Sequence, residues 1–480
     1  MSPDASTPRR TAGVLMRDFV ALSGGEVLAK IAGFVAFAWL ARTLTPEAYG
    51  HVELAIQLTM MASLVVDFGL GPIGARELAA RPPRAPALAA SIPTLRLVLA
   101  PLAYALVFAA SAALTLDDDA RLLVRVTGLS LFAGPWVLNW LFQGLGRMLW
   151  VAVAQLLRAG VFALLVLGFV RSTDDVLSVG IFEALAAFAM SAWFVAAQMR
   201  SLGGLSLQTS VPELRRLFIE AWPVGASRTL WALYQYVPTV LVSQIVGGAE
   251  LAWFAAAHRL STSLGSFVAL YHFNLFPQWV PAIARGDAAV RELARTSARL
   301  TAWLGIWGAM VGTFASIPLC QLVFGESYSA SGQAFAIVIW TVPISLLGGH
   351  ARFALIAAGQ QRAELASNAA GAAVAIVGGA VGVGLAGAAG AAAALVLGAT
   401  ATWAVAHVQV SRRLVALPVF APGVRPAVAA AVVGAAAGLL VEPGWSRAAV
   451  ALVAFGLLAP VADRALWRDA RALVRRGERG

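Results

Sequence analysis

The chain has 480 residues, of which 60% are hydrophobic and 12% charged, with a mean hydropathy of +0.79. Soluble proteins carry about 25% charged residues, so a water-soluble globule is excluded, as are a disordered chain and a coiled coil. The net charge of +11 rests almost wholly on arginine, Lys30 being the single lysine; in a membrane protein such a balance reflects basic loops rather than a nucleic-acid partner.

A helix crossing the hydrocarbon layer needs about 20 largely apolar residues. In chain order such runs lie at 19–42, 50–70, 91–116, 120–143, 148–170, 176–199, 219–246, 251–281, 300–323, 333–358, 364–386, 389–411, 426–441 and 448–463. They are continuously apolar rather than alternating, so the predicted fold is an all-α polytopic membrane protein of about 14 transmembrane helices, not a β-barrel. The longest connections, 71–90, 200–218, 282–299 and 412–425, leave no room for a nucleotide-binding or glycosyltransferase domain. The lone Cys320 offers neither a disulfide nor a metal site, and no metal or cofactor is expected.

An even number of spans places both termini on one side. Loops on that side carry 24 arginines. The opposite loops carry Arg42, Arg121, Arg171 and Arg447, along with Asp117, Asp118, Asp119, Asp174, Asp175 and Glu326. The positive-inside rule therefore predicts cytoplasmic termini. The first apolar run is too long for a cleavable signal and contains Glu26 and Lys30.

Seven basic residues fall inside the runs: Lys30, Arg96, Arg125, Arg158, Arg228, Arg259 and Arg352. Each costs roughly 2.5–3.5 kcal/mol at the bilayer centre, so they must reach the surface, pair with acids or line a wet cavity. Arg96, five residues into its run, is expected to snorkel to the cytoplasmic surface. Arg125 heads a stripe of Gly128, Phe132, Trp136, Asn139 and Gln143. Lys30 follows Glu26 by one turn, which admits either an internal ion pair or a substrate contact. Arg158 is mid-span beside Gln155, and Arg352 lies near the end of its run. Arg228 and Arg259 have no acid within one turn and are the best candidates for an anion site. The intramembrane acids Glu53, Asp67 and Glu183 are expected to pair with bases across the bundle; binding of a coupling proton or Na⁺ is the alternative role for these and Glu26. Prolines at 101, 135, 223, 238, 277, 318 and 343 suit bending helices.

Gly382, Gly384 and Gly387 match a dinucleotide-binding spacing, but they sit in an Ala/Gly-rich span without a preceding strand. Gly378 and Gly382 instead suit close helix approach. Two outer loops 203 positions apart, around Glu47 and Glu250, each lead into a span, which suggests two six-span halves of parallel topology.

The segment Leu40-Ala-Arg-Thr-Leu-Thr-Pro-Glu-Ala-Tyr-Gly-His-Val-Glu-Leu-Ala, continuing to Asp67-Phe-Gly-Leu-Gly and Arg76-Glu-Leu, resembles the opening signature of the polysaccharide-biosynthesis, or oligosaccharide flippase, branch of the multidrug/oligosaccharidyl-lipid/polysaccharide exporter superfamily. Ala252-Trp-Phe-Ala-Ala-Ala-His-Arg-Leu and Phe276-Pro resemble its span 8 and the exit from it. The signature is densest over 20–80 and 220–285, and departs from the family at Thr45 and at Trp253-Phe254. The resemblance implies a six-helix lobe over 1–200, a second over 201–411, two extra helices over 412–463 and a basic cytoplasmic tail over 464–480. It further implies a monomer in the cytoplasmic (inner) membrane that carries an undecaprenyl-pyrophosphate-linked glycan for O-antigen, capsule or exopolysaccharide, by alternating access around a cationic cavity, with glycan polymerase machinery and membrane lipids as partners. Lys30, Arg158, Arg228, Arg259 and Arg352 would then bind the anionic headgroup, since arginine's planar fork suits phosphate. A proton- or sodium-coupled multidrug antiporter is the alternative, and would want carboxylates to dominate the interior. A membrane enzyme would want a large outer loop, and the longest here is about ten residues.

Overall fold

The computed structural model describes residues 12–204, 206–466 and 468, with side chains from Gly24 onward except that of Glu26. The expected roles of Glu26 and of most of the basic tail therefore lie outside the described residues. The described residues are 89% helical, with no strand among them.

Helix α1 (Ala12–Thr43) is followed by α2 (Pro46–Asp67), whose start explains the Thr-Pro-Glu signature. The Thr45 hydroxyl accepts the Ala48 N–H at 3.4 Å, Pro46 occupies a position that needs no donor, and Glu47 complements the positive helix end. The Asp-Phe-Gly signature marks the other end. Phe68 and Gly69 are both left-handed (φ 40° and 81°), which breaks α2 from α3 (Leu70–Ala80). A Cβ on Gly69 would lie 2.7 Å from the Ala221 carbonyl oxygen and the Gly225 nitrogen, so only glycine lets this break seat against that segment.

Helix α4 (Ala85–Ala113) contains Pro93 and Pro101. The fourth apolar run is not one continuous α-helix: α5 (Asp118–Gly128) passes into a 3₁₀ stretch, Leu129–Trp136, holding Pro135, and then into α6 (Asn139–Gly144). Helices α7 (Met148–Phe169), α8 (Val176–Leu202), α9 (Val211–Ile245) and α10 (Gly248–Arg285) follow, then α11 (Asp287–Phe314) and α12 (Ser316–Phe324), bent by 73° at Ala315. The bend precedes Pro318, the residue expected to cause it. Helices α13 (Ser331–Val338) and α14 (Thr341–Ala357) lead to α15 (Gln361–Arg413), which breaks at Ala386 and at Gly387 (φ 51°), between the eleventh and twelfth apolar runs. Gly382 lies against the backbone of Gly390 across that break, and the Ala388 N–H donates to Glu250 at 2.7 Å. Helices α16 (Phe420–Leu440) and α17 (Trp445–Ala462) complete the order. Among the described residues nine helical segments are long and apolar enough to cross a membrane, ten if α11 and α12 form one bent span; the figure of fourteen stands on the sequence.

The chain divides into two compact units inside α9, one ending at Thr229 and the other beginning at Leu230. The first has a core of Trp140, Phe142 and Phe194 beneath α3, α4 and α8. The second has a core around Trp279 and Leu355, and a satellite where Trp303 and Phe455 join α11 to the last two helices. Large apolar side chains such as Val98, Leu164, Leu385, Leu439 and Val461 are exposed, which suits contact with acyl chains rather than water.

Candidate functional site

In the first unit, the break after α2 leaves the Asp67 carboxylate facing α4 and α9. One of its oxygens, Oδ1, accepts from Arg96 Nη2 and, at 3.1 Å, from the Gly71 N–H. The other, Oδ2, accepts from Arg228 Nη1 at 2.5 Å. Arg96 also donates to the Val137 carbonyl at 2.8 Å, and its side chain is 4% exposed. It does not snorkel as its position suggested, because Asp67 and the irregular backbone before α6 take its two terminal nitrogens inside the unit. Arg228 by contrast is 46% exposed. One carboxylate thus serves two guanidinium groups, and the cluster keeps a surplus positive charge.

The same unit holds a cavity of about 460 Å³ between α1, α7 and α8. Lys30, Gln143, Gln155, Arg158 and Glu183 supply its polar lining, and Phe37 and Phe162 its apolar wall. Arg158 is paired with Glu183. Asp67 and Glu183 thus each accept from arginines of other helices. Glu53 is buried and accepts the Tyr49 hydroxyl at 2.7 Å. Arg125 is satisfied by the Ser111 hydroxyl at 3.0 Å and by the Phe108 ring, 4.1 Å from its centroid.

In the second unit, Arg352 donates to Glu364 at 2.7 Å, and Asn368 donates to the same oxygen at 2.7 Å. Arg259 stands on α10, where its backbone carbonyl accepts the hydroxyls of Thr262 and Ser263. The structure thus joins Asp67 with Arg228, and Lys30 with Arg158 and Glu183, while Arg352 is held by an acid of its own unit.

Sequence reasoning missed a charge network in the first unit. Arg216 donates to Glu213, Glu220 and Glu77 at 2.8–3.1 Å, and Arg84 donates to Glu213 and Glu77. The signal was three glutamates among the arginines of 71–90 and 200–220. Arg216 hydrogen bonding holds the Glu213 carboxyl below its ordinary range, and the Glu213 bond in turn pushes the Arg216 pKa up. Away from this network, backbone N–H groups of Arg171 and Ser172 lower the Asp175 carboxyl.

The sequence pattern of the polysaccharide biosynthesis protein family matches residues 15–282. The chain belongs to that family. The matched span includes Lys30, Asp67, Arg96, Arg158, Glu183, Arg228 and Arg259, and ends before Arg352. No curated protein matches the chain in sequence. Among solved structures, this family member resembles the lipid II flippase MurJ in its inward closed conformation, with TM-score 0.77 at 11% identity, covering 93% of this chain and 99% of that one. It also resembles an inward-facing multidrug resistance MATE family transporter (TM-score 0.62, 16% identity, 82% and 98% covered). A third is a multidrug/oligosaccharidyl-lipid/polysaccharide superfamily transporter from Pyrococcus furiosus (TM-score 0.58, 14% identity, 83% and 95% covered). At these identities the likeness is one of fold: a multi-pass membrane transporter fold.

Proposed function

We propose that the protein is a flippase that carries polyprenyl-pyrophosphate-linked oligosaccharide from the inner to the outer leaflet of the cytoplasmic membrane by alternating access, for surface polysaccharide synthesis. The organisation that goes with it is two six-helix lobes (1–200 and 201–411), two extra helices (412–463) and cytoplasmic termini. The family and the transporter fold support the class of function. The observation that carries the cargo's charge is the single Asp67 carboxylate shared by Arg96 and Arg228, with Arg228 half exposed. A pyrophosphate presents more charge and more acceptor oxygens than a carboxylate, and guanidinium groups bind it in bidentate fashion. A cationic drug would instead meet repulsion there. Lys30 and Arg158 add a second basic patch, offset by Glu183. The proposed act is transport without covalent chemistry.

The test is surface glycan in cells whose chromosomal copy carries Arg228→Ala or Arg259→Ala. Each is expected to abolish export while the protein's membrane level stays normal. Normal glycan in both variants would remove the anion-site assignment.

A further inference from the structure

The two oxygens of Asp67 have different partners. Oδ1 belongs to Arg96 and the Gly71 N–H, and Oδ2 to Arg228. The Oδ1 side is fixed. Arg96 is almost wholly buried, its Nη1 is tied to the Val137 carbonyl at 2.8 Å, and α3 begins immediately beyond Asp67. A Cβ on Gly71 would stand 3.0 Å from Oδ1 and 3.4 Å from Arg96 Nη2, so the glycine keeps this corner close-packed. The Oδ2 side ends on a side chain that is 46% exposed.

A guanidinium that left its only carboxylate partner would strand an acid in a low-dielectric interior, at a large desolvation cost. Here Asp67 has a second cation and a backbone donor, so its charge stays compensated if Arg228 turns away. We propose that Asp67 is a resident stand-in for the cargo's phosphate. It holds Arg228 in place while the site is empty and yields it to the incoming pyrophosphate, because Arg96 and Gly71 retain the carboxylate. Asp67 and Arg96 are thus positioning residues for Arg228, acting in opposite senses. Asp67 competes with the phosphate, and Arg96 weakens that competition by sharing the carboxylate. The inference rests on the anionic cargo proposed above and adds how the empty site is kept ready and how the headgroup is let go.

The experiment measures binding of geranylgeranyl pyrophosphate to the purified full-length protein in detergent, with geranylgeraniol as the uncharged control. Asp67→Asn removes the competitor, so its apparent Kd is expected to fall by several-fold to about tenfold, with slower dissociation. Arg96→Gln leaves Asp67 with Arg228 as its only cation, so the Kd is expected to rise by about tenfold. Changes of opposite sign are the signature, because loss of a merely structural contact would weaken binding in both variants. Unchanged or weaker binding in Asp67→Asn, in protein that elutes and melts like wild type, overturns the proposal. Should Arg96→Gln not fold, the Asp67→Asn arm decides alone, and Asp67→Glu, which keeps the competitor, is expected to restore the wild-type Kd. If wild-type protein binds the pyrophosphate no better than the alcohol, the anionic cargo itself falls, and this inference with it; a wild-type preference without tightening in Asp67→Asn leaves the cargo standing and removes the inference alone.

Discussion

Asp67 in the first unit and Glu364 in the second are two solutions to one problem, an arginine inside an apolar run. At Glu364, Arg352 and Asn368 donate to one carboxylate oxygen. At Asp67 the ratio is two arginines to one acid, and one of them is half exposed. The first arrangement ties α14 to α15. The second stores a charge. The two sites differ in how the arginine is held: Arg352 shares one carboxylate oxygen with Asn368, whereas Arg228 has one oxygen of a carboxylate whose other oxygen belongs to Arg96.

Truncating the arginine on each side shows whether the two sites do different work. Arg228→Ala is expected to lower transport by more than tenfold with little change in melting temperature, because Asp67 keeps Arg96. Arg352→Ala is expected to show the reverse: transport per folded molecule within about twofold of wild type, but stability lower by about 1–3 kcal/mol, since Glu364 loses the Arg352 bond. Transport assays normalised to folded protein, beside thermal melts, check both. If the two variants fail in the same way, the distinction between the two sites does not hold.

A second, smaller effect is expected at Asp463. It is buried and holds the Trp303 indole at 3.3 Å, Arg299 at 3.5 Å and Arg425 at 3.2 Å, so it fastens α16 and α17 to α11. Asp463→Ala is expected to cost about 1–3 kcal/mol and to raise protease sensitivity around 414–425 before the rest of the chain is cut. Uniform cleavage would show that the last helices are not fastened there.

The smallest effect is a pH dependence. The Glu213 carboxyl is held below its ordinary value of 4.5 by Arg216 and Arg84. Its stabilisation is therefore present above the ordinary glutamate range and is lost as pH falls through the lowered folded value. Partly exposed pairs contribute about 1 kcal/mol or less. The difference in melting temperature between wild type and Glu213→Gln should accordingly be small at pH 7 and shrink as the pH falls below the ordinary glutamate value; a difference that grows on acidification would contradict the network.

How much of this was legible beforehand follows from the range of each interaction. Uninterrupted apolar runs marked where helices lie, and Thr45, Pro46 and Glu47 marked a helix start, because caps and burial are read locally. The break of α15 fell in the short gap between two runs. What escaped was long-range. Arg96 and Asp67 are 29 positions apart, and Arg228 and Asp67 are 161 apart, so no helical spacing could pair them, and a residue near a run's end looked free to snorkel. Hydropathy registered neither the 3₁₀ stretch at Pro135 nor the bend at Ala315, since it carries no helix type or direction; the prolines at 135 and 318 were the local signal for both. The surplus charge could be counted from the sequence, but its location depended on which acid each arginine met.

The most direct test is translocation in proteoliposomes of two lipids with the same glycan and prenyl chain, one joined through pyrophosphate and one through a neutral ether. Wild-type protein is expected to move the pyrophosphate lipid at least tenfold faster, and Arg228→Ala to erase that preference. Equal rates for the two lipids in the wild type, or a preference that survives Arg228→Ala, would contradict a cationic site built on Arg228.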